Sequence, residues 1–483
     1  MSVFLRYKIC GIAVVFLPLL IGCSVGPDYQ AAKSVMPPAW LEGWSIGIDA
    51  QPAELARWWT EFNDPLLNSL VERAAQSNLD LYVAEARIRE ARASQVLSEA
   101  GEWPTVDVSG SYSRNRSSGN AVGSPTQGAV AAPRSTNNLE QNLYRTGFDA
   151  GWEIDVFGGT RRSVEAARAN VEAAIEDRRD VLVTLLGDVA KNYIDLRGGQ
   201  RQLAVTQANL QAQQEILRLT RIRFDAGLAS DLETAQAEGL AQTTAAQIPT
   251  LESGIKQITY RLDLLLGAQP GTTWNELSGQ SPIPALPPQA HVGLPAELLR
   301  RRPDIRRAER QLAAATAQIG AATADLYPKF SLLGTFGLQS ISASDWFTAQ
   351  SRFWSIGPTI RWPVFDAGKI RANIEIRNAQ QEQALKLYEK SVLSALGDVE
   401  SALVNYGKEQ TRYRSLLAAV NANRRALDMS NDLYTQGLVA FLNVLDAERA
   451  VYASENDLAQ SEAIMASNLV ALYKALGGGW DTR

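Results

Sequence analysis

The chain has 483 residues, of which 46% are hydrophobic and 20% are charged, and its formal net charge is −5. This composition excludes a disordered chain and a bundle of transmembrane helices, and the mildly acidic balance disfavours nucleic acid as the main partner. The sequence contains two cysteines, Cys10 and Cys23, so the chain after residue 23 offers neither a disulfide nor a thiolate metal site.

Residues 1–22 have the features of a secretory signal peptide. Arg6 and Lys8 precede the apolar stretch ICGIAVVFLPLL, whose twelve residues are too few to span a bilayer comfortably. The stretch leads into LIGC, which resembles a bacterial lipobox, where the signal is removed and the cysteine becomes the acylated first residue. We therefore predict a covalent lipid on Cys23, and Ser24 in the next position is typical of sorting to the outer membrane.

The rest of the chain contains two copies of one pattern. The fragment LYVAEARIREA resembles IRRAERQLAAA 224 residues later, and the pairs Gly187-Asp188 and Gly227-Leu228 recur 210 residues later. The offset changes because the first copy carries an insertion rich in Ser, Gly and Asn between residues 115 and 142. The predicted organisation is a lipid-anchored leader and belt at 23–63, a first repeat at 64–270, a linker at 271–292, a second repeat at 293–478 and a tail at 479–483.

Each copy predicts the same order of elements. A helix of about 35 residues, such as 66–100, is ended by a proline and followed by two strands with alternating side chains. A corner that contains Gly leads into a very long helix, which a Gly-Leu pair ends before a shorter return helix, 228–266 in the first copy. The predicted strands are 106–112, 145–156, 330–338 and 353–364, and the predicted long helices are 161–226 and 369–436.

The strands alternate between an apolar side and a polar side. The apolar side carries aromatic residues typical of an outer-membrane barrel wall, namely Phe148, Trp152, Phe336, Trp354 and Trp362. The polar side of the second strand carries Asp149, Glu153 and Asp155. Four strands cannot close a membrane barrel, and open edges leave backbone groups unpaired in lipid, so we expect several chains to share one barrel around a water-filled lumen. The alternative is a soluble sheet whose apolar face is covered by helices.

Several motifs resemble a known family. LLRRRPDIRRAERQL at 298–312 is similar to the most recognisable motif of the TolC-like outer-membrane efflux channels, in their lipoprotein branch (OprM-like, NodT type). CSVGPDY, WWTEFNDPLLNSLV, YPKFSL and LYKALGGGW match the family as well. The resemblance implies an α+β membrane protein that forms a homotrimer, with a shared 12-stranded outer-membrane β-barrel of four strands per chain and a long periplasmic α-helical barrel.

The function implied by the resemblance is that of the outer-membrane channel of a tripartite efflux system. Such a channel passively conducts small molecules, drugs among them, from an inner-membrane pump and a periplasmic adaptor (membrane fusion protein) to the outside. Family members contact the adaptor at two helix turns, which correspond here to Gly227, Leu228, Gly437 and Leu438.

The resemblance also implies a periplasmic gate near the second turn. Asp446 matches an acidic gate position of the family, whereas Asn443 and Val439 lie where some relatives carry acids. This departure argues against a strongly cation-selective gate.

The sequence does not favour an enzyme, a cofactor other than the lipid, or a metal site. The GWSIG sequence at 43–47 matches a hydrolase pattern, but it lies in a Trp- and Pro-rich leader, and the single histidine, His291, lies in the linker. The RRRPD sequence at 300–304 is interpreted as a structural motif that ties a helix start to the belt, rather than a basic patch for phosphates or nucleic acid. The alternative function is a lipid-anchored helical stalk or adaptor without a pore, and the transported substrate stays open.

Overall fold

The computed structural model describes residues 24–32, 36–41, 55–116, 140–287 and 292–481. Cys23, the GWSIG sequence at 43–47 and His291 therefore lie outside the described residues. The chain divides into two compact units, which we call the sheet unit and the helical unit. The sheet unit comprises 1–31, 90–171 and 310–385, and the helical unit comprises 32–89, 172–309 and 386–483.

A 3-10 helix at Leu55–Phe62 lies near the end of the leader, and the first copy begins with two α-helices, α1 (Pro65–Ser77) and α2 (Leu79–Ala100). The prediction of one helix over 66–100 is wrong because Asn78 begins a new helix. Its Oδ1 accepts hydrogen bonds from the N–H groups at positions 80 and 81, as an N-cap residue does. Its Nδ2 donates to the carbonyl of Leu265 at 2.9 Å, which fixes the break in place.

The long helix α3 spans Gly159–Asp225, and its 67 residues confirm the helix predicted at 161–226. The predicted return helix at 228–266 is two helices, α4 (Asp231–Ala245) and α5 (Ile248–Leu265). Pro249 lies in the first turn of α5, where its missing N–H is harmless, but it cannot continue α4. A one-turn helix, α6 (Trp274–Leu277), follows.

The second copy contains a 3-10 helix at Pro295–Glu297 and then α7 (Leu298–Arg301), α8 (Pro303–Ala324), α9 (Lys369–Thr435) and α10 (Phe441–Ala475). Helix α9 again has 67 residues and confirms the prediction of 369–436. Helix α10 continues for 35 residues without a break, since its sequence contains no proline. In the described ranges, no helix combines the length and the apolar composition that crossing a membrane requires.

Four strands form one antiparallel sheet in chain order: β1 (Thr105–Arg116), β2 (Glu140–Ile154), β3 (Lys329–Ser340) and β4 (Arg352–Arg361). The four predicted strands are confirmed, but two of them end earlier than predicted. Asp155 lies beyond β2, where its Oδ2 accepts the backbone N–H of Arg161 at 2.8 Å and holds the start of α3. Trp362 lies beyond β4, because Pro363 supplies no N–H to extend the ladder.

The main hydrophobic core lies in the helical unit. Its centre is Trp58, from the WWTEF motif, which is 1% exposed and stacks on Tyr473 with ring centroids 5.4 Å apart. Tyr473 lies in the LYKALGGGW motif, so two of the motifs singled out in the sequence meet in this core. These motifs therefore hold the start of the first copy against the end of the second.

Candidate functional site

The apolar side of the sheet is exposed, and its large side chains form rows across the strands. Val108, Phe148, Phe336 and Trp354 lie directly opposite one another on β1, β2, β3 and β4. Each exposes more than half of its surface, from 52% for Phe148 to 73% for Trp354. The adjacent rows add further exposed apolar residues, Val106, Ile356 and Ile360. An exposed apolar face of this extent is typical of a surface that contacts an apolar partner.

One tryptophan of each copy lies at the helix-proximal end of the sheet. The indole Nε1 of Trp152 donates to the carbonyl of Glu102 at 2.9 Å, and that of Trp362 donates to the carbonyl of Leu326 at 3.0 Å. The two donors lie 210 residues apart and the two acceptors 224, which are the offsets between the copies. An apolar ring with a satisfied N–H suits the boundary between lipid and water.

The polar side of the sheet carries charges of both signs. Ser109 Oγ donates to Asp149 Oδ2 at 2.8 Å, and Arg145 lies 3.7 Å from the other carboxylate oxygen. Glu153 lies 3.8 Å from the Nζ atom of Lys329. The structure therefore places one cation near Asp149 and one near Glu153, so this side of the sheet carries charges of both signs rather than acids alone.

The sheet ends on each side in a strand with one neighbour. β1 pairs only with β2 and β4 only with β3 within the described ranges. The outer backbone groups of both strands are therefore available for pairing with another chain. Together with the exposed apolar side, this arrangement is incompatible with an isolated sheet in lipid.

The two Gly-Leu turns have the same conformation. Gly227 and Gly437 have φ values of +71° and +72°, which favour glycine, and they end α3 and α9. In both turns the following leucine N–H donates to a carbonyl five residues earlier, at 2.8 and 2.9 Å. Leu228 and Leu438 are 69% and 66% exposed, so each turn presents one large apolar side chain to its surroundings.

The predicted gate residues lie at the start of α10. Asn443 and Asp446 are exposed, one turn apart, and Val439 precedes the helix and is half-buried. Asp446 lies 3.7 Å from Arg449, and the two side chains are 61% and 57% exposed. Arg449 therefore offsets part of the charge of Asp446, and Asn443 is its neutral neighbour one turn earlier.

The opposite side of α10 carries a buried acid that sequence reasoning missed. Phe441, Val444 and Leu445 form a small core beside the turns, and Glu448 follows on the same stripe with 5% exposure. Glu448 Oε2 is buried without a hydrogen-bond partner, and burial raises the pKa of its carboxyl to about 7. The signal was available, because positions 441, 444, 445, 448 and 451 share one helical face.

The RRRPD motif lies at the start of α8, as predicted, and the contacts of Arg302 connect this start to α9 and to the end of α10. Arg302 donates to both carboxylate oxygens of Asp304 at 3.0 and 2.7 Å, to Asp398 at 3.0 Å and to the carbonyl of Ala475 at 3.1 Å. Burial opposes the charge of Arg302, but its two acidic partners outweigh burial and raise the pKa of the guanidinium. In the first copy Asn78 bonds to the equivalent carbonyl, that of Leu265.

The segment that follows Cys23 is fixed in the sheet unit by a buried arginine. Val25 N donates to the carbonyl of Phe157 at 3.1 Å. Arg162, with a side chain 6% exposed, donates to Asp28 at 2.6 Å, to Glu165 at 2.8 Å and to the carbonyl of Val25 at 3.3 Å. Sequence reasoning missed this contact, since nothing in the pattern links Asp28 to a residue 134 positions later.

Comparisons with known proteins agree with this geometry. The family described as "Outer membrane efflux protein" matches residues 70–268 and 294–478. Nodulation protein T of Rhizobium leguminosarum bv. trifolii is 33% identical over 477 residues, covering 96% of this chain and 96% of that protein. The pyoverdine export outer membrane protein OpmQ of Pseudomonas aeruginosa is 32% identical, again with 96% of both chains covered.

A solved structure shows the same fold. The outer-membrane channel OprN is 37% identical to this chain and superposes with a TM-score of 0.87. The match covers 95% of this chain and all of that one.

Proposed function

The chain belongs to the outer membrane efflux protein family and is an outer-membrane efflux channel of a tripartite system, and from this premise we propose how it assembles and works. Members of this family are passive channels rather than enzymes and use no cofactor. In the proposed assembly three copies join β4 of one chain to β1 of the next, which gives a closed barrel of 12 strands. The observation that carries this proposal is a sheet with one exposed apolar side, whose two outer strands each have one partner strand among the described residues.

Closure of the barrel pairs the outer strand edges and gives the exposed apolar side of the sheet an apolar environment. Edge-to-edge pairing supplies partners for the outer backbone groups of β1 and β4, as lipid requires. The row of Val108, Phe148, Phe336 and Trp354 then faces lipid, with Trp152 and Trp362 at one boundary of the apolar band. Asp149 and Glu153, with their neighbouring cations, line the lumen, and Asp155 lies at its lower rim.

We propose that the lipid on Cys23 anchors the chain beside the same boundary. Ser24 follows Cys23 directly, and Val25 is bonded to the carbonyl of Phe157, three residues after the end of β2. The Arg162–Asp28 pair holds this segment, so the acyl chains would enter the membrane close to the sheet rather than at the end of a free tether.

The turns at Gly227-Leu228 and Gly437-Leu438 are the proposed contacts for the periplasmic adaptor. The proposal is supported by Leu228 and Leu438, which are exposed on two turns of the same backbone conformation, with open space around each glycine. The proposed gate lies beside the second turn, at Val439, Asn443 and Asp446. With one acid that is paired to Arg449, this gate would select weakly between cations and anions.

The division into repeats at 64–270 and 293–478 is part of the proposal. It is supported by the family match, which falls in two stretches at 70–268 and 294–478. The repeated contacts at Asn78 and Arg302, and at Trp152 and Trp362, point to one ancestral unit that was duplicated.

Cysteine cross-linking in the outer membrane tests the assembly. One variant carries Ser111→Cys on β1 with Ser355→Cys on β4, both on the polar side. A second variant carries Ser111→Cys with Thr359→Cys, which tests another register between the two chains. Oxidation should give covalent trimers in at least one variant. Asp149→Cys with Thr335→Cys, which face each other within one chain, should give only cross-linked monomers.

The native mass of the lipidated protein in mild detergent is measured in parallel. A mass of three chains supports the shared barrel. Covalent ladders longer than three chains, or a folded monomer without cross-links between chains, would overturn the proposal.

A further inference from the structure

Glu448 is a buried acid that the channel, as described so far, does not use. It is 5% exposed, one turn beyond the apolar cluster of Phe441, Val444 and Leu445 on α10. One of its carboxylate oxygens has no hydrogen-bond partner. A buried carboxylate without a partner is unfavourable, so burial at this position favours the neutral, protonated form of the acid.

A second unsatisfied oxygen lies at the same level of the neighbouring helix α3. Asn209 on α3 donates to Glu455 on α10 at 3.2 Å, and nearer the turns Ile216 and Leu217 pack against the apolar cluster at the start of α10. The helices run in opposite directions, so Gln213 on α3 is level with Glu448. Gln213 is 3% exposed, and its Oε1 is also buried without a partner.

One proton on Glu448 can supply the hydrogen bond that the two acceptor oxygens at this level lack. A protonated Glu448 would donate to Gln213 Oε1, and both oxygens would then be satisfied. With the Gln213 amide oriented as in the structure, an ionised Glu448 would leave both oxygens unsatisfied and add a buried charge.

The charged groups around this level do not neutralise Glu448. On all four helices near the turns they are either engaged with other partners or exposed at the surface. The pairs are Arg218–Glu215, Arg221–Glu238, Arg424–Glu455, Arg449–Asp446 and Glu233–Tyr434. Arg223 is half-buried, and its guanidinium lies over the ring of Tyr434, 4.6 Å from the ring centroid. The exposed residues are Asp225, Asp231, Arg425, Asp428 and Asp432. Burial is the sole cause of the raised pKa of Glu448.

We propose that Glu448 is a proton-binding site that couples the packing of α3 against α10 to pH. Below about pH 7 the carboxyl group is protonated while the two helices are packed, and it releases the proton to water when they separate. Because the packed state binds the proton more tightly, acid favours packing and alkali favours separation near the turns. This coupling concerns the helices beside the turns and depends neither on barrel closure nor on the adaptor.

Infrared spectroscopy of the full-length lipidated protein tests the protonation directly. The difference between wild type and Glu448→Gln should contain the band of a protonated carboxyl at pH 5.5, and this band should disappear with a midpoint near pH 7. A missing band at pH 5.5 would mean that the packed protein holds Glu448 ionised, which overturns the proposal.

Hydrogen exchange tests the coupling. Exchange of residues 205–225 and 441–455 is compared at pH 6 and pH 8.5, each time against Glu448→Gln so that the intrinsic pH effect cancels. From pH 6 to pH 8.5 the equilibrium constant for local opening should rise about tenfold more in the wild type than in the variant. Glu448→Met, which has a similar volume and no proton to release, should behave like Glu448→Gln.

The control variant is Asp457→Asn, which removes an exposed carboxylate of the same helix. It should keep the pH dependence of the wild type. Equal pH dependence in the wild type, Glu448→Gln and Glu448→Met would overturn the proposal, even if every variant assembles normally.

Discussion

Replacing Arg302 by methionine should destabilise the junction where α8 begins and α10 ends. The arginine is nearly buried, with a side chain 12% exposed, and it holds Asp304, Asp398 and the carbonyl of Ala475 together. Methionine fills most of the space but supplies no donor. The carbonyl of Ala475 and one oxygen of Asp304 would lose their partner, whereas Asp304 Oδ1 would keep its bond to the N–H of Ile305.

The expected loss is about 3 kcal/mol, at the lower end of the range for removing one partner of a buried ion pair. The lower end applies because Asp398 is 55% exposed and can be solvated by water. Arg57→Met is the matched control: Arg57 and its partner Glu72 are 67% and 51% exposed, and such surface pairs contribute less than about 1 kcal/mol.

Hydrogen exchange of residues 303–309 and 469–475 measures both variants in the assembled protein. A loss of about 3 kcal/mol corresponds to roughly a hundredfold lower protection at 1.4 kcal/mol per factor of ten. The loss of protection in Arg302→Lys should lie between the losses in Arg302→Met and Arg57→Met, because lysine keeps the charge but lacks the planar fork of donors. If Arg302→Met lowers protection no more than Arg57→Met does, the junction does not depend on this arginine.

Three further predictions concern the sheet and the turns. Trp354→Arg places a charge on the apolar side and should cost about 2–4 kcal/mol of membrane insertion, seen as loss of trimer from the outer-membrane fraction, whereas Ser355→Arg on the other side should insert. Gly437→Ala should cost about 1 kcal/mol and weaken adaptor binding in a pull-down, since φ is +72°, whereas Gly397→Ala within α9 should be neutral or stabilising. Asp446→Asn should change the cation preference in bilayer recordings by less than about twofold, because Arg449 and water already screen this carboxylate; a larger change would place Asp446 at a narrow gate.

Much of the fold follows from local patterns that are strong in this sequence. The ends of α3 and α9 were predicted to within two residues, because a glycine corner precedes each helix and a Gly-Leu pair ends it. The helix break at Pro249 was missed even though the proline marks it. Asn78 is different: its N-cap bonds to positions 80 and 81 are local, but the bond from its Nδ2 to the carbonyl of Leu265 is a contact that no local pattern contains.

In the candidate site, too, some features follow from local sequence patterns and others depend on contacts between distant elements. The alternation of the strands predicted which aromatic residues lie on the apolar side, since this depends only on side-chain direction. Their alignment in a row also requires the strand registers. The cations beside Asp149 and Glu153 come from Arg145 and Lys329, and the second of these requires the register between β2 and β3. Glu448 lies on a visible apolar stripe, but its missing partner could be recognised only once α3 was packed against it.

The two free strand edges have a genetic consequence. In a closed ring of three, each chain offers the β1 edge to one neighbour and the β4 edge to the other, so every junction needs two different intact surfaces. A chain with one blocked edge can still join a growing ring but cannot complete it. If half of the chains in a cell carry such a defect and mix at random, roughly one ring in eight contains none of them. A mutation at either edge would therefore behave as dominant in a cell that also makes the normal chain, whereas loss of the whole gene would be recessive.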